Sequence, residues 1–169
     1  NYQIISMGHR NPQGLFVDRE NQFMLNTEHG PKGGDEINFI DLKEDEIQNF
    51  GWPISSYGDH YGETNRDSEK YKKYPLHESH RAHGFLEPLT YFTPSVGISE
   101  IIRIENNKYV VASMKDKHLI SFILSDDKTI SDIKTHFIGE RIRDMAYSTL
   151  NKKLYLYLED SGSILNIDF

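Results

Sequence analysis

Along the chain, short stretches in which Ile, Leu, Val, Phe and Tyr alternate with polar residues are separated by compact polar segments. An alternation of period two, rich in β-branched and aromatic side chains, predicts half-buried strands rather than helices. The strands fall at about residues 3–7, 15–18, 23–27, 36–41, 100–105, 108–114, 118–124, 133–138, 143–148, 153–159 and 163–168. Between several of them lie Arg19-Glu20-Asn21-Gln22, Asn106-Asn107, Ser125-Asp126-Asp127-Lys128, Asn151-Lys152 and Asp160-Ser161-Gly162. These residues tolerate positive φ or bond back to their own backbone, so antiparallel hairpins follow. Helical signal is thin. The best segment, 42–50 (LKEDEIQNF), runs into Gly51-Trp52-Pro53 and predicts a turn or short cap. The class expected is all-β.

The hairpins repeat. GLFVDRENQFMLNTEHG, EIIRIENNKYVVASMKD and DMAYSTLNKKLYLYLEDSG each read as strand, Asn-containing turn, strand. Their turn residues Asn21, Asn107 and Asn151 stand 86 and 44 residues apart, and about 44 residues is the size of one four-stranded propeller blade. The missing register near residue 64 has no strand pattern. Instead, residues 57–88 form a polar tract rich in Tyr, His and charge, a long excursion of the kind that carries function or is disordered. Residues 100–138 supply four strands, 143–168 only three, and the strand at 3–7 stands alone ahead of the first unit. About three blades cannot close a ring, which takes roughly four to eight. The expectation is a single half-propeller domain over residues 1–169. The apolar end faces of such an arc would drive association, so a homodimer could close a six-bladed ring, each N-terminal strand completing its partner's last blade.

Composition narrows the function. With 19 Lys+Arg against 26 Asp+Glu, the formal charge of −7 opposes binding to phosphate backbones and anionic membranes, so nucleic acid is not an expected partner. The absence of Cys excludes disulfides, zinc-thiolate sites and thiol nucleophiles, and leaves the redox compartment open. Apolar runs of about five residues fall far short of the ~20 that span a bilayer, so membrane insertion is not expected. The opening NYQIISMGHR has no basic head followed by an apolar core, so no signal peptide is expected within it.

Several motifs carry a resemblance. Gly8-His9-Arg10-Asn11-Pro12-Gln13-Gly14-Leu15, then Glu28-His29-Gly30-Pro31 with Gly33-Gly34-Asp35-Glu36-Ile37-Asn38, then Asn49-Phe50-Gly51-Trp52-Pro53, Thr93-Pro94-Ser95 and Arg141-Ile142-Arg143-Asp144 resemble, in that order, the second half of the soluble glucose/sorbosone dehydrogenases. These are aldose sugar dehydrogenases that use pyrroloquinoline quinone (PQQ) and calcium on a six-bladed β-propeller, and the resemblance covers residues 4–169. It implies oxidation of aldose sugars to lactones by hydride transfer to the quinone. A flat quinone with three carboxylates calls for cations, calcium, and donors aimed at the oxygen that becomes negative. By resemblance, Arg10 and Asn11 face the quinone oxygens and Arg10 stabilises the oxyanion. Lys115 meets a cofactor oxygen, while Arg141 and Arg143 meet the carboxylates. Being two apart on one strand, those two arginines share a face and form a fork suited to a planar anion. The backbone oxygens of Gly30 and Pro31 would hold the cofactor-bridging calcium, Glu36 and the Phe50 carbonyl a second, and Asp59 a third. Gly-Pro is also an ordinary turn dipeptide, and Asp35 with Glu36 also reads as a solvated strand end.

The departures from the family pattern matter as much. Its catalytic His, the neighbouring Asp and a cofactor-contacting Gln lie upstream of GHRNPQGL, so the general base is not expected in this chain. His9 and His29 read as packed or backbone-bonded. Phe92 stands on the substrate side, where the sugar enzymes can place a Trp, and lacks the indole donor. His77-x-x-His80-x-x-His83 has transition-metal spacing but lies among residues that read as solvent-facing. An alternative stays open: a catalytically silent propeller segment that binds calcium or a protein partner. The resemblance implies a periplasmic or secreted protein and leaves the sugar and the electron acceptor undetermined.

Overall fold

A computed structural model describes residues 2–169. In chain order its strands are β1 (Ser6–Met7), β2 (Pro12–Asp18), β3 (Phe23–Glu28), β4 (Asp35–Asp41), β5 (Gln48–Asn49), β6 (Thr90–Phe92), β7 (Ile98–Glu105), β8 (Lys108–Ser113), β9 (His118–Leu124), β10 (Ile130–Phe137), β11 (Ile142–Ser148), β12 (Lys153–Leu158) and β13 (Ser163–Asp168). One short helix, α1 (Glu69–Lys73), and a 3-10 turn at Arg81–His83 lie between β5 and β6.

The strands make three antiparallel sheets in the orders β2-β3-β4-β6, β10-β9-β8-β7 and β11-β12-β13. The middle sheet lies between the other two, with β7 against β2 on one side and β11 on the other. Strand β8 shows why the sequence folds this way. Tyr109 and Val111 point into the joint with the first sheet, Val110 and Ala112 into the joint with the last, so this strand is apolar on both faces. The last sheet has one such joint, lined by Leu154, Leu156 and Leu158, while Ile164 faces outward.

One expectation is corrected. The strand predicted at 3–7 shrinks to Ser6–Met7, which pairs in parallel with Gln48–Asn49 of the same chain. Among the described residues the N-terminal strand is thus engaged within its own chain. The segment 42–50 opens on the expected turn at residues 42–43, and Gln48 bonds back across it: its Oε1 accepts the Asp41 N–H at 2.9 Å and its Nε2 donates to the Asp41 carbonyl at 2.7 Å. The first sheet is completed by β6, which follows the excursion at 57–88, so that excursion is inserted between adjacent strands of one sheet.

Registers place the site. Pro12 pairs with Glu28, Ile98 with Ser113 and Ile142 with Leu158. The starts of β2, β7 and β11 and the segments following β3, β8 and β12 therefore gather at one rim, and the hairpin turns at 19–22, 106–107 and 149–152 lie at the opposite one.

Candidate cofactor and cation site

The cations named from the sequence lie on that first rim. Arg10 donates through Nη1 to the His29 carbonyl at 3.0 Å and lies 5.3 Å from the Trp52 ring centre, and its buried Nε has no partner. Lys115 Nζ donates to the Ser95 carbonyl at 2.7 Å. Among the described residues neither cation has a carboxylate within ion-pair distance. Arg141 precedes β11 and Arg143 lies in a bulge, where the register shifts between Ile142 and Asp144. Both guanidinium groups converge on Glu159, Arg141 through Nε at 2.7 Å, and together, Arg143 first, they hold its carboxyl below the ordinary range. Arg141 also reaches Met114 Sδ at 3.8 Å, beside Lys115. Asn11 is exposed, with its side-chain oxygen accepting from Gln13. His29 donates to the Ile98 carbonyl, and Asp35 accepts the N–H groups of Gly97 and Ile98 at 2.7 and 3.1 Å, tying the rim loops of the first two sheets together.

Beneath Arg10 lies a cavity of about 10 Å³, room for one water or ion, lined by Glu28, Glu36, Gly30, Gly34, Phe50 and Ser55 among others. Glu28 and Glu36 are direct cross-strand partners, 3% and 6% exposed. Glu28 accepts the Arg10 N–H at 2.7 Å, Asn38 Nδ2 at 2.8 Å and His9 Nδ1 at 3.4 Å. Burial, and then the Glu28 charge, pushes the Glu36 carboxyl up to about 8. Behind it His80, 1% exposed and stacked on Tyr57, holds Nε2 3.6 Å from Glu36 Oε1, beyond hydrogen-bond reach. Ser55 Oγ, Asn38 Oδ1 and both His80 nitrogens are buried without partners. Each such group costs about 1–3 kcal/mol, and of these Ser55 lines the hollow itself. A Cβ on Gly30 would fall on the carbonyl oxygens of Gly33 and Gly34, so the turn that closes the cavity requires glycine. Among the described residues, no three His, Asp or Glu side chains converge as a metal centre. A cation here would rest on the two carboxylates with hydroxyl and backbone oxygens, a donor set that suits a hard ion such as Ca²⁺.

Other predicted residues lie elsewhere. The Pro31 carbonyl accepts from the Tyr61 hydroxyl at 2.8 Å. Asp59 is committed to Arg66 and to the Tyr71 hydroxyl. Phe92 packs against the core cluster around Ile98 and Ile101, and its neighbour Tyr91 is the exposed aromatic. The reading of Asp35 and Glu36 as a solvated strand end is corrected, since both are buried. So is the expectation of three solvent-facing histidines. His77 and His83 stack on each other at 3.6 Å, whereas His80 turns inward, because the 3-10 turn that follows it reverses the chain. His9 stacks on Phe50 and bonds Ser6. Sequence reasoning missed Glu28 and Ser55; two glutamates flanking one Gly-rich turn were the available signal.

Three sheets side by side, each with its first strand innermost, define a β-propeller-like class, and the loops that carry these cations form one face of it. A family description, Glucose / Sorbosone dehydrogenase, matches residues 1–166. The chain belongs to that family. It is similar to aldose sugar dehydrogenase YliI of Escherichia coli K12, 29% identical over 98% of this chain and 43% of the relative. A stretch of 60 residues, 35% of this chain and 12% of the relative, is 45% identical to quinoprotein glucose dehydrogenase B of Acinetobacter calcoaceticus. Among solved structures it resembles a glucose dehydrogenase, with TM-score 0.76, 29% identity and coverage of 96% of this chain and 45% of that one. It also has the fold of the PQQ-bound aldose sugar dehydrogenase of Streptomyces coelicolor, with TM-score 0.66, 23% identity and coverage of 96% and 44%. The chain thus spans less than half the length of the relatives it matches. No helix among the described residues is long and apolar enough to cross a membrane.

Proposed function

We propose that this chain forms the cofactor- and cation-binding part of a PQQ- and calcium-dependent dehydrogenase that oxidises aldose sugars to lactones. The observation that carries this reading is the convergence of Arg10, Lys115, Arg141 and Arg143 on one rim, with Arg10 and Lys115 answered only by backbone carbonyls. When bound, PQQ supplies a quinone that accepts hydride. In this reading Arg141 and Arg143, prealigned by Glu159, hold carboxylates as a fork, and Lys115 adds a point charge. Arg10, with its unpartnered Nε, donates to an oxygen that gains negative charge, and Asn11 offers its amide beside it. The Gly30 and Pro31 carbonyls would hold a bridging calcium, with Tyr61 yielding its hydrogen bond to Pro31. Glu36 and the Phe50 carbonyl would hold a second ion in the cavity, and Asp59 would serve a third by releasing Arg66. The general base lies outside these residues, and Phe92 borders the sugar. The family's quinone and calcium chemistry fits a periplasmic or secreted location. Half a ring of about three blades remains the domain reading.

Equilibrium dialysis of PQQ against the chain with Ca²⁺ tests this. Wild type should bind, and the double variant Arg141→Ala/Arg143→Ala should bind at least about tenfold more weakly, since each charge-assisted hydrogen bond is worth about 1.5–3 kcal/mol. No binding by wild type, or equal binding by the variant, overturns the assignment. Calcium binding without PQQ binding would favour the catalytically silent segment.

A further inference from the structure

This inference rests on the reading of Glu36 and the Phe50 carbonyl as cation ligands, and adds what that reading leaves out. We infer that Glu28 is the second carboxylate ligand of the ion in the cavity, and that the Glu28–Glu36 pair, closed by the Ser55 hydroxyl, selects a divalent over a monovalent cation.

The register makes the pair. Directly opposed residues on antiparallel strands have Cβ atoms about 4.5–5.5 Å apart on the same face, and like charges placed there repel. Two carboxylates in that position, both buried, are accommodated only with a shared proton or a cation beside them. Among the described residues no Lys or Arg side chain supplies a cation to the pair, while His9 Nδ1 stands 3.4 Å from Glu28 and His80 Nε2 3.6 Å from Glu36. Arg10 offers Glu28 its backbone N–H, and its guanidinium turns to the His29 carbonyl and Trp52. The cavity that both glutamates line admits one ion, whose oxygen ligands would stand about 2.3–2.6 Å away for calcium.

An independent observation points into the same hollow. Ser55, 2% exposed, lines it with an Oγ that has no hydrogen-bond partner. A hydroxyl oxygen so placed is a ready neutral ligand. Glu28 is also built to stay in place. Three donors fix both oxygens, Asn38 Nδ2 and His9 Nδ1 on Oε1 and the Arg10 N–H on Oε2, and Oε2 keeps a lone pair for a cation. The charge count then sets selectivity: two carboxylates are neutralised by one divalent ion, whereas a monovalent ion leaves a buried negative charge.

Calcium titration calorimetry on the full chain without PQQ, so that no cofactor-bridging ion forms, separates the outcomes. Wild type should bind Ca²⁺ and be indifferent to a large excess of K⁺. Glu28→Gln should lose at least about tenfold in Ca²⁺ affinity and lose most of the rise in melting temperature that Ca²⁺ gives wild type. Ser55→Ala should weaken binding less. If Glu36→Gln abolishes binding and Glu28→Gln matches wild type, the role of Glu28 is overturned and the Glu36 reading stands. If wild type binds no Ca²⁺, or Glu36→Gln binds as wild type does, the reading beneath it falls as well. A Glu28→Gln variant that melts lower than wild type equally with and without Ca²⁺ marks a merely structural residue and overturns the proposal. Should that variant fail to fold, Glu28→Asp keeps the charge one methylene short, and unchanged Ca²⁺ affinity in it overturns the proposal too.

Discussion

Asp18 closes β2 at the rim opposite the cations, and replacing it tests how the sheets are joined. Its Oδ1 accepts the N–H groups of Glu20 and Asn21 at 3.1 and 3.0 Å, and its Oδ2 accepts Asn21 Nδ2 at 3.1 Å and Arg103 Nη1 at 2.6 Å. One buried carboxylate thus holds the β2–β3 turn and ties the first sheet to β7 of the second. Asp18→Ala removes the charge-assisted bond to Arg103, worth about 1.5–3 kcal/mol, and three turn bonds whose donors are partly recovered by water. A loss of about 3 kcal/mol follows, or roughly 6–12 °C in Tm for a chain of this size. Burial pushes the Asp18 carboxyl up, but the Asn21 donors and the Arg103 charge outweigh it and hold the carboxyl below its ordinary value. A depressed carboxylate contributes stability that is full above its unfolded pKa and fades as pH falls through the folded one. The gap between wild type and variant should therefore be constant from about pH 5 to 8 and close in stronger acid. Urea denaturation followed by circular dichroism across that range, with an Arg103→Met double-mutant cycle, measures it. A gap under about 1 kcal/mol at pH 7, or no coupling between the two positions, refutes the reasoning.

With PQQ, Ca²⁺ and a dye acceptor, the chain alone should turn over glucose at a rate lower by about 10²–10⁴ than a full-length relative, because no base is expected here; comparable turnover would contradict that. Gly30→Ala should cost about 2–3 kcal/mol by forcing open the turn against backbone that cannot step aside, and unchanged thermal melting would show that the turn has slack. In the last sheet, Leu156→Ala should cost about 2–5 kcal/mol, whereas Ile164→Ala, 67% exposed, should stay within about 0.5 kcal/mol; denaturant titration compares the two.

Much of the fold was legible because its strands are joined by local turns. Asn21, Asn107 and Asn151 sit where the hairpins reverse, and the apolar run at 109–112 and the alternation in 153–158 mark faces that are in fact buried. Strand β6 escaped detection because three residues, Thr90–Phe92, are too few for any periodicity, and its pairing with Asp35–Ile37 is set from afar. The parallel contact of Ser6–Met7 with Gln48–Asn49 is likewise tertiary. At the site, the arginines were visible as motifs. Glu28 and Ser55 were not, because a buried acid pair exists only after β3 and β4 have been paired in register, and a serine carries no local signal. His80 was misread for the same reason, since its polar neighbours in sequence are not its neighbours in space.

The insertion of the excursion between β4 and β6 has a consequence for the order of assembly. Strands of the middle sheet are consecutive, so each can zip onto the previous one through a turn of a few residues. The edge strand of the first sheet must instead find its place across roughly 48 intervening residues, an entropic handicap of about 2 kcal/mol relative to a four-residue hairpin. Contacts that span so much chain form late. Hydrogen-exchange labelling during refolding should protect the amides of β8 and β9 before those of β4 that bond to β6. The rim bearing Gly30, Glu36 and Phe50 would then take its final shape only when Tyr57 to Tyr91 have settled, which makes the small acidic cavity among the last parts of the molecule to be built.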